Sequence, residues 1–175
     1  MVDFVEVYDN VLTTDQCCNI IEYIDTKDKI PGTPLIKNSL EVPDNYFSNQ
    51  SVVDKILSTT LLNYVKEYKD KHPQIDMTDR WGLDNLYNLQ RYDIGKGYDY
   101  LHCENGCIEL SKRVLVWIIY LNTVNGGTYF DNYDRTVEAV QGRLVLWPAS
   151  WTHTHRGIIS KTQVKYITTG WFSLM

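Results

Sequence analysis

Four histidines occur among 175 residues, and two of them, His153 and His155, stand two positions apart in the stretch "WTHTHRG". A third, His102, precedes Glu104 by two positions in "LHCENG". Side chains two apart on a strand leave the same face, so His102 and Glu104 are expected to project together from an extended segment. Alone, such a pair is weak. Joined by one distant histidine it becomes two imidazoles and a carboxylate, the donor set that holds Fe(II) from one side and leaves three positions for a bidentate cosubstrate and O2. Strand alternation leaves both His153 and His155 open as the third donor. His72, in "KDKHPQ" at a polar helix end before a proline, reads as a surface residue.

Donors so far apart in the chain need a scaffold that brings them together. From residue 84 the sequence turns to short β-branched and aromatic runs separated by Gly, Asn and Asp: "LYNLQRYDIG", "RVLVWIIYLN", "GGTYF", "TVEAV", "GRLVLWP", "HTHRGII" and "QVKYITTGWF". Such spacing predicts seven or more strands in a sandwich or jelly roll. Residues 1 to about 80 read as mainly helical after a first strand near Phe4 to Tyr8. Thr13 and Gln16 form a capping-box signature, and Cys17, Ile20, Ile21 and Ile24 then recur on one helical face. Residues 30 to 48, with Pro31, Pro34 and Pro43, are expected as loop. A second helix follows, striped by Val53, Ile56, Leu57, Leu61, Tyr64, Val65 and Tyr68, which want a sheet to lie against. The expected fold is a single α+β domain over 1–175, mainly β, with 1–80 as helical support packed on one sheet of a β core spanning 84–175.

Composition narrows the function classes. The net charge of −5 argues against a general nucleic-acid binder, which carries a basic face toward phosphates. Lys66, Lys69 and Lys71 fit the wet side of a helix. The thirteen tyrosines and five tryptophans suit either a β-rich core or a substrate groove. No apolar run approaches the roughly 18 residues of a membrane span, and "MVDFVEVYDN" lacks the basic and apolar parts of a signal peptide. A cytoplasmic protein is expected, with no role for the Asn49-Gln50-Ser51 sequon. Cys17 and Cys18 are adjacent, and Cys103 and Cys107 four apart, which is neither a disulfide framework nor a CxxC pair. A structural zinc site on Cys103, Cys107 and His102 is the weaker reading of those thiols.

The segments "QRYDIGKGYDYLHCE", "RVLVWIIYLNTVNGGTYF" and "VQGRLVLWPASWTHTHRGIISKTQVKYITTGW" resemble, in this order, the catalytic core of the prolyl 4-hydroxylase-like 2-oxoglutarate/Fe(II)-dependent dioxygenases, over about residues 88 to 172. The resemblance implies a double-stranded β-helix, with His102 and Glu104 as the proximal metal ligands. In the family the distal histidine precedes by about ten positions a basic residue that grips the far carboxylate of 2-oxoglutarate. Lys165 is that residue, which makes His155 the ligand and leaves His153 beside the site or on its rim. A hairpin centred near Ser160 would set His155 opposite Lys165 across two antiparallel strands, in keeping with this choice.

By the same resemblance Tyr92 and Tyr120 help hold 2-oxoglutarate, and Thr128 and Trp171 line its pocket. Two departures stand out. Glu104 replaces the usual aspartate and is longer by one methylene, and Gly127 stands where the family has an acidic residue before Thr128. The expected activity is hydroxylation of an unactivated carbon by O2, coupled to decarboxylation of 2-oxoglutarate to succinate and CO2, with Fe(II) as cofactor and ascorbate as an accessory reductant. A peptidyl proline is the favoured substrate, covered by an aromatic rim drawn from Tyr98, Tyr100, Trp147 or Trp151. Tyr98 is out of register with the family's tyrosine before the proximal histidine. Small molecules, free amino acids and nucleobases are the alternative substrates. A jelly-roll binding module without catalysis and a zinc protein are the competing classes, and neither gives Lys165 and Tyr120 a reason to accompany the three donors.

Overall fold

A computed structural model of the protein describes residues 2–32, 37–43 and 45–175. Strand β1 (Glu6–Tyr8) leads into helix α1 (Thr14–Thr26), and the short strands β2 (Ile30–Pro31) and β3 (Leu40–Val42) precede helix α2 (Val52–Lys71). The remaining strands are β4 (Trp81–Tyr92), β5 (Arg113–Tyr120), β6 (Gly127–Phe130), β7 (Arg135–Glu138), β8 (Arg143–Pro148), β9 (His155–Ile158) and β10 (Lys165–Leu174). Among the described residues they form a large antiparallel sheet, in the order β1-β8-β5-β10-β4-β3-β2, and a small one in the order β7-β6-β9. This is the expected jelly roll.

The alternation of side chains across the large sheet separates two cores. In β5, Leu115, Trp117 and Ile119 face the helices, while Val116, Ile118 and Tyr120 face the small sheet. A strand covered on both sides reads as a continuous apolar run, which is why "VLVWIIY" shows no polar alternation. Gly170 of β10 lies against Trp117, where an added Cβ would come within 2.6 Å of the indole.

The helices close the first core. Thr13 caps α1 and Ser51 caps α2, each in a complete capping box, and each cap contributes about 1 kcal/mol. Ile20 and Ile24 of α1, with Val53, Leu57, Leu61, Val65 and Tyr68 of α2, bury their stripe against Tyr87, Leu89, Leu146 and Phe172 of the sheet. Each fully buried Leu or Ile side chain is stabilised by roughly 2 kcal/mol. Lys66 and Lys71 lie on the exposed side, as their spacing predicts.

Three expectations need correction. Within 30 to 48, the described residues contain β2 and β3, which extend the edge of the large sheet beyond β4. Pro31 fits there because an edge strand need not donate on its outer side. Pro34 lies outside the described residues. His72 is not a surface residue: its ring packs between Phe4 and Tyr68, and Nε2 lies 2.9 Å from Glu6 Oε1. Finally, β9 and β10 form no hairpin. Strand β9 pairs with β6 in the small sheet, and β10 lies between β4 and β5 in the large one, so the chain around Ser160 crosses between layers.

Candidate metal centre

Between the two sheets lies a cleft of about 300 Å³. From the large sheet Tyr92, Tyr120, Trp147, Lys165 and Trp171 line it, and from the small sheet Thr128 and His155. The segment after β4 closes one end with His102 and Glu104. That segment is not a strand as expected. His102 makes an isolated bridge, in which its N–H donates to His155 O at 3.0 Å and the His155 N–H donates back at 2.9 Å. Glu104 N–H donates to Ala149 O at 3.0 Å, which ties the carboxylate to the end of β8.

One ligand atom from each of His102, Glu104 and His155 lies within 4.8 Å of the others. Glu104 Oε1 is 3.3 Å from His102 Nε2 and 3.6 Å from His155 Nε2. Donors about 2.1 Å from one ion and at right angles lie about 3 Å apart, so Glu104 Oε1 stands close to ligand spacing from each imidazole. The imidazoles are oriented by their other nitrogens. His102 Nδ1 lies 2.8 Å from Tyr100 O, and His155 Nδ1 lies 2.8 Å from His153 O. A carbonyl only accepts, so each Nδ1 carries a hydrogen, and each ring turns its Nε2 toward Glu104.

Burial opposes ionisation of Glu104, but its contacts with the two imidazoles outweigh this and hold its carboxyl well below the usual carboxylate range. Two imidazole Nε2 atoms and a carboxylate oxygen therefore converge. Such an arrangement calls for a cation, and two imidazoles with one carboxylate suit ferrous ion. Among the described residues this is the one His, Cys, Asp or Glu group with that capacity. Cys103 and Cys107 take no part.

Lys165 is 4% exposed, and its Nζ donates to Ile158 O at 3.2 Å. No carboxylate of the described residues pairs with it, and burial pushes its pKa down to about 8. Beside it, Tyr92 donates its hydroxyl to Gln90 Oε1 at 3.0 Å. The Tyr120 hydroxyl and Thr128 Oγ1 lie 2.6 Å apart. Gly127 explains how Thr128 reaches this position without the acidic neighbour. A Cβ there would fall 2.1 Å from Val137 O, because Gly127 is paired with Glu138 and lies against the carbonyl that precedes it in β7.

His153 does not join the three donors and is not on the rim; it stands beside the site, its backbone oxygen behind His155 Nδ1. It ends a 3-10 turn instead of extending β9, so the alternation that kept it open as a donor does not apply. Its ring is buried, Nε2 lies 2.7 Å from Asp3 O, and burial holds its pKa below the ordinary value. Of the aromatic candidates, Tyr98 stacks on His102 at 4.1 Å between ring centroids and lines the cleft. Trp147 is buried and meets His155 edge-on at 5.0 Å. Tyr100 is 62% exposed and offers the site its backbone carbonyl, and Trp151, 74% exposed, does not line the cleft. Sequence reasoning missed Arg113 and Gln90. Gln90 shares the parity of Tyr92 in β4, a signal that could have found it, whereas Arg113 shares the parity of Leu115 and Trp117 and reaches the cleft through a register shift where β5 meets Phe172 and Ser173 of β10.

Residues 87–173 match the family model described as the 2OG-Fe(II) oxygenase superfamily. The chain carries a 2OG-Fe(II) oxygenase domain. As a 2OG-Fe(II) oxygenase the protein is a dioxygenase with Fe(II) and 2-oxoglutarate as its cofactors, and the readings of a non-catalytic module or a zinc protein give way to this. No curated sequence matches the chain. Among solved structures, a viral collagen prolyl hydroxylase of Paramecium bursaria Chlorella virus-1, in complex with 2-oxoglutarate, is similar at 17% identity and a TM-score of 0.74, over 98% of this chain and 97% of that one. A prolyl-4-hydroxylase of Pseudomonas putida is similar at 15% identity and a TM-score of 0.74, over 99% and 94%. A prolyl hydroxylase of Trichoplax adhaerens, in complex with a peptide fragment of hypoxia inducible factor, matches at 13% identity and a TM-score of 0.72, over 98% and 84%. At such identities the likeness is one of fold. None of the described helices is long and apolar enough to cross a membrane.

Proposed function

We propose that this 2OG-Fe(II) oxygenase hydroxylates a prolyl residue of a peptide, with His102, Glu104 and His155 holding the metal and Lys165 anchoring 2-oxoglutarate. The observation that carries the reading is the Lys165 ammonium, buried in the cleft of the three donors without a carboxylate partner. A buried charge is stabilised by a counter-ion, and a dicarboxylate reaching from the donors to Lys165 supplies one.

Bound Fe(II) and 2-oxoglutarate would activate O2 toward an unactivated C–H bond, one oxygen atom going to the substrate and the other to the succinate released with CO2. The protein's part is placement and exclusion of water. Lys165 neutralises the far carboxylate, and the Tyr120 and Thr128 hydroxyls, already coupled to each other, offer it a further hydrogen bond. Tyr92 fixes the ammonium's position through its ring face, 5.1 Å from Nζ. The carbonyls of Tyr100 and His153 keep both imidazoles aimed at the metal. Phe130 and Trp147 pack on His155 and keep that side of the site dry.

The peptide substrate is supported by the prolyl hydroxylases among the similar folds and by the ring of Tyr98, which lines the cleft over His102. Anaerobic addition of Fe(II) and then 2-oxoglutarate tests the site: a weak visible charge-transfer band that needs both is expected. Incubation with O2 and proline-containing peptides then tests the substrate. Gain of one oxygen on a prolyl residue is expected, and succinate release that no such peptide stimulates argues for a different target.

A further inference from the structure

We propose that Arg113 and Trp171 clamp the outer oxygen of Glu104 and so make this centre specific for glutamate, an inference that rests on the metal reading above. The two carboxylate oxygens of Glu104 have different surroundings. Oε1 faces the imidazoles. Oε2 accepts from Arg113 Nη1 at 3.1 Å and from Trp171 Nε1 at 3.0 Å. With both its donors supplied by the protein, Oε2 is withheld from the metal, and the carboxylate is a one-oxygen ligand through Oε1.

The clamp is itself fixed. The Arg113 guanidinium lies over the Trp171 indole, 3.5 Å from its centroid, so the two donors brace each other as well as their acceptor. Arg113 opens β5 and Trp171 sits near the end of β10, and both line the cleft. Arg113 Nη1 also donates to the backbone oxygen of Glu104 at 3.0 Å, while the Glu104 N–H is held by Ala149 O. Backbone and outer oxygen are thus both anchored, and the side chain spans a set gap between them. An aspartate at 104 would be shorter by one C–C bond, about 1.5 Å, and could not satisfy the clamp and face both imidazoles at once. The extra methylene, a departure in the sequence, is what this arrangement requires. Arg113 and Trp171 act through Glu104 and are positioning residues.

Calorimetric titration of the whole chain with Mn(II), without 2-oxoglutarate, tests this through metal affinity alone. Glu104→Asp, Arg113→Gln and Trp171→Phe are each expected to weaken Mn(II) binding about tenfold or more, as loss of a ligand's hydrogen-bond partner does. The double variant Glu104→Asp/Arg113→Gln is expected to bind within about twofold of Arg113→Gln, because a released carboxylate no longer has to meet the clamp. Strictly additive losses, or an unweakened Glu104→Asp, overturn the proposal. So does tighter binding in Arg113→Gln, the outcome if the guanidinium merely repels the ion. Trp171→Phe keeps a ring under Arg113 and removes only the indole donor, so it decides the matter even if Arg113→Gln does not fold. A wild-type chain that takes up no Mn(II) overturns the metal reading as well, whereas loss in His155→Ala with intact binding in the clamp variants overturns the clamp alone.

Discussion

Lys165 and Tyr92 are directly opposed residues of β10 and β4, and the ammonium sits 5.1 Å from the centre of the tyrosine ring. The pairing gives a buried cation a π-face and one carbonyl but no anion, and its pKa falls to about 8. Above that pH the free protein loses the charge that a dianion needs, while the bound dianion restores it, so binding takes up a proton. The dissociation constant of 2-oxoglutarate, measured anaerobically with Mn(II) present, is expected to rise about tenfold per pH unit above about pH 8. In Lys165→Met the affinity is low throughout and this pH dependence is absent. A wild-type affinity unchanged between pH 7 and 9.5 would count against the anchor.

The same residue has an opposite effect on the empty fold. The unfolded chain binds the lysine proton more tightly than the folded one, so folding is opposed by this group below about pH 8 and the opposition fades as pH rises from there toward the ordinary lysine value. Lys165→Met is therefore expected to melt at a higher temperature than wild type at pH 7 without ligand, and to lose the stabilisation that 2-oxoglutarate gives the wild-type chain. Thermal denaturation with and without cosubstrate checks both.

His155→Ala is expected to abolish Fe(II) and Mn(II) binding, and His153→Ala to retain it. His153 instead secures the N-terminal segment through Asp3 O, and its loss removes the partner of that part-buried carbonyl. The cost to stability is about 1–3 kcal/mol, measurable by chemical denaturation. Metal binding that survives in His155→Ala but not in His153→Ala reverses the assignment.

Tyr120→Phe and Thr128→Val each leave the other hydroxyl of a buried pair without its partner. Both are expected to raise the KM for 2-oxoglutarate about tenfold while leaving Mn(II) affinity within twofold of wild type. Equal losses in metal affinity would mean that the pair supports the fold of the site and not the cosubstrate.

Gly127→Asp, which restores the residue type of the family, is expected to destabilise the protein by more than about 2 kcal/mol. Its Cβ would meet Val137 O at 2.1 Å, a backbone group that β7 holds in place. Denaturant unfolding of the variant and wild type decides this.

What the sequence made legible followed a local period. The seven runs after residue 84 became strands because alternation and turn residues act within a few positions, and the α2 stripe did so for the same reason. His102, Glu104 and His155 converge as the ordered motifs imply. What failed depended on partners distant in the chain. Nothing in "IISKT" tells a hairpin from a crossing between sheets, and the pairing of β9 with β6 is set by packing across the cleft. Pro31 hid an edge strand, because the same residue type marks loops and sheet borders. The burial of His72 depends on Glu6 and Phe4, and the part played by Arg113 on a carboxylate in the preceding loop.

The crossing from β9 to β10 puts His155 and Lys165 on separate walls of the cleft. Any small molecule gripped at one end by the metal and at the other by Lys165 becomes a rivet through both layers. Loading the enzyme should then slow amide hydrogen exchange in β6 and β9 more than in the helices, with the cosubstrate serving as a removable crossbar as well as a reactant.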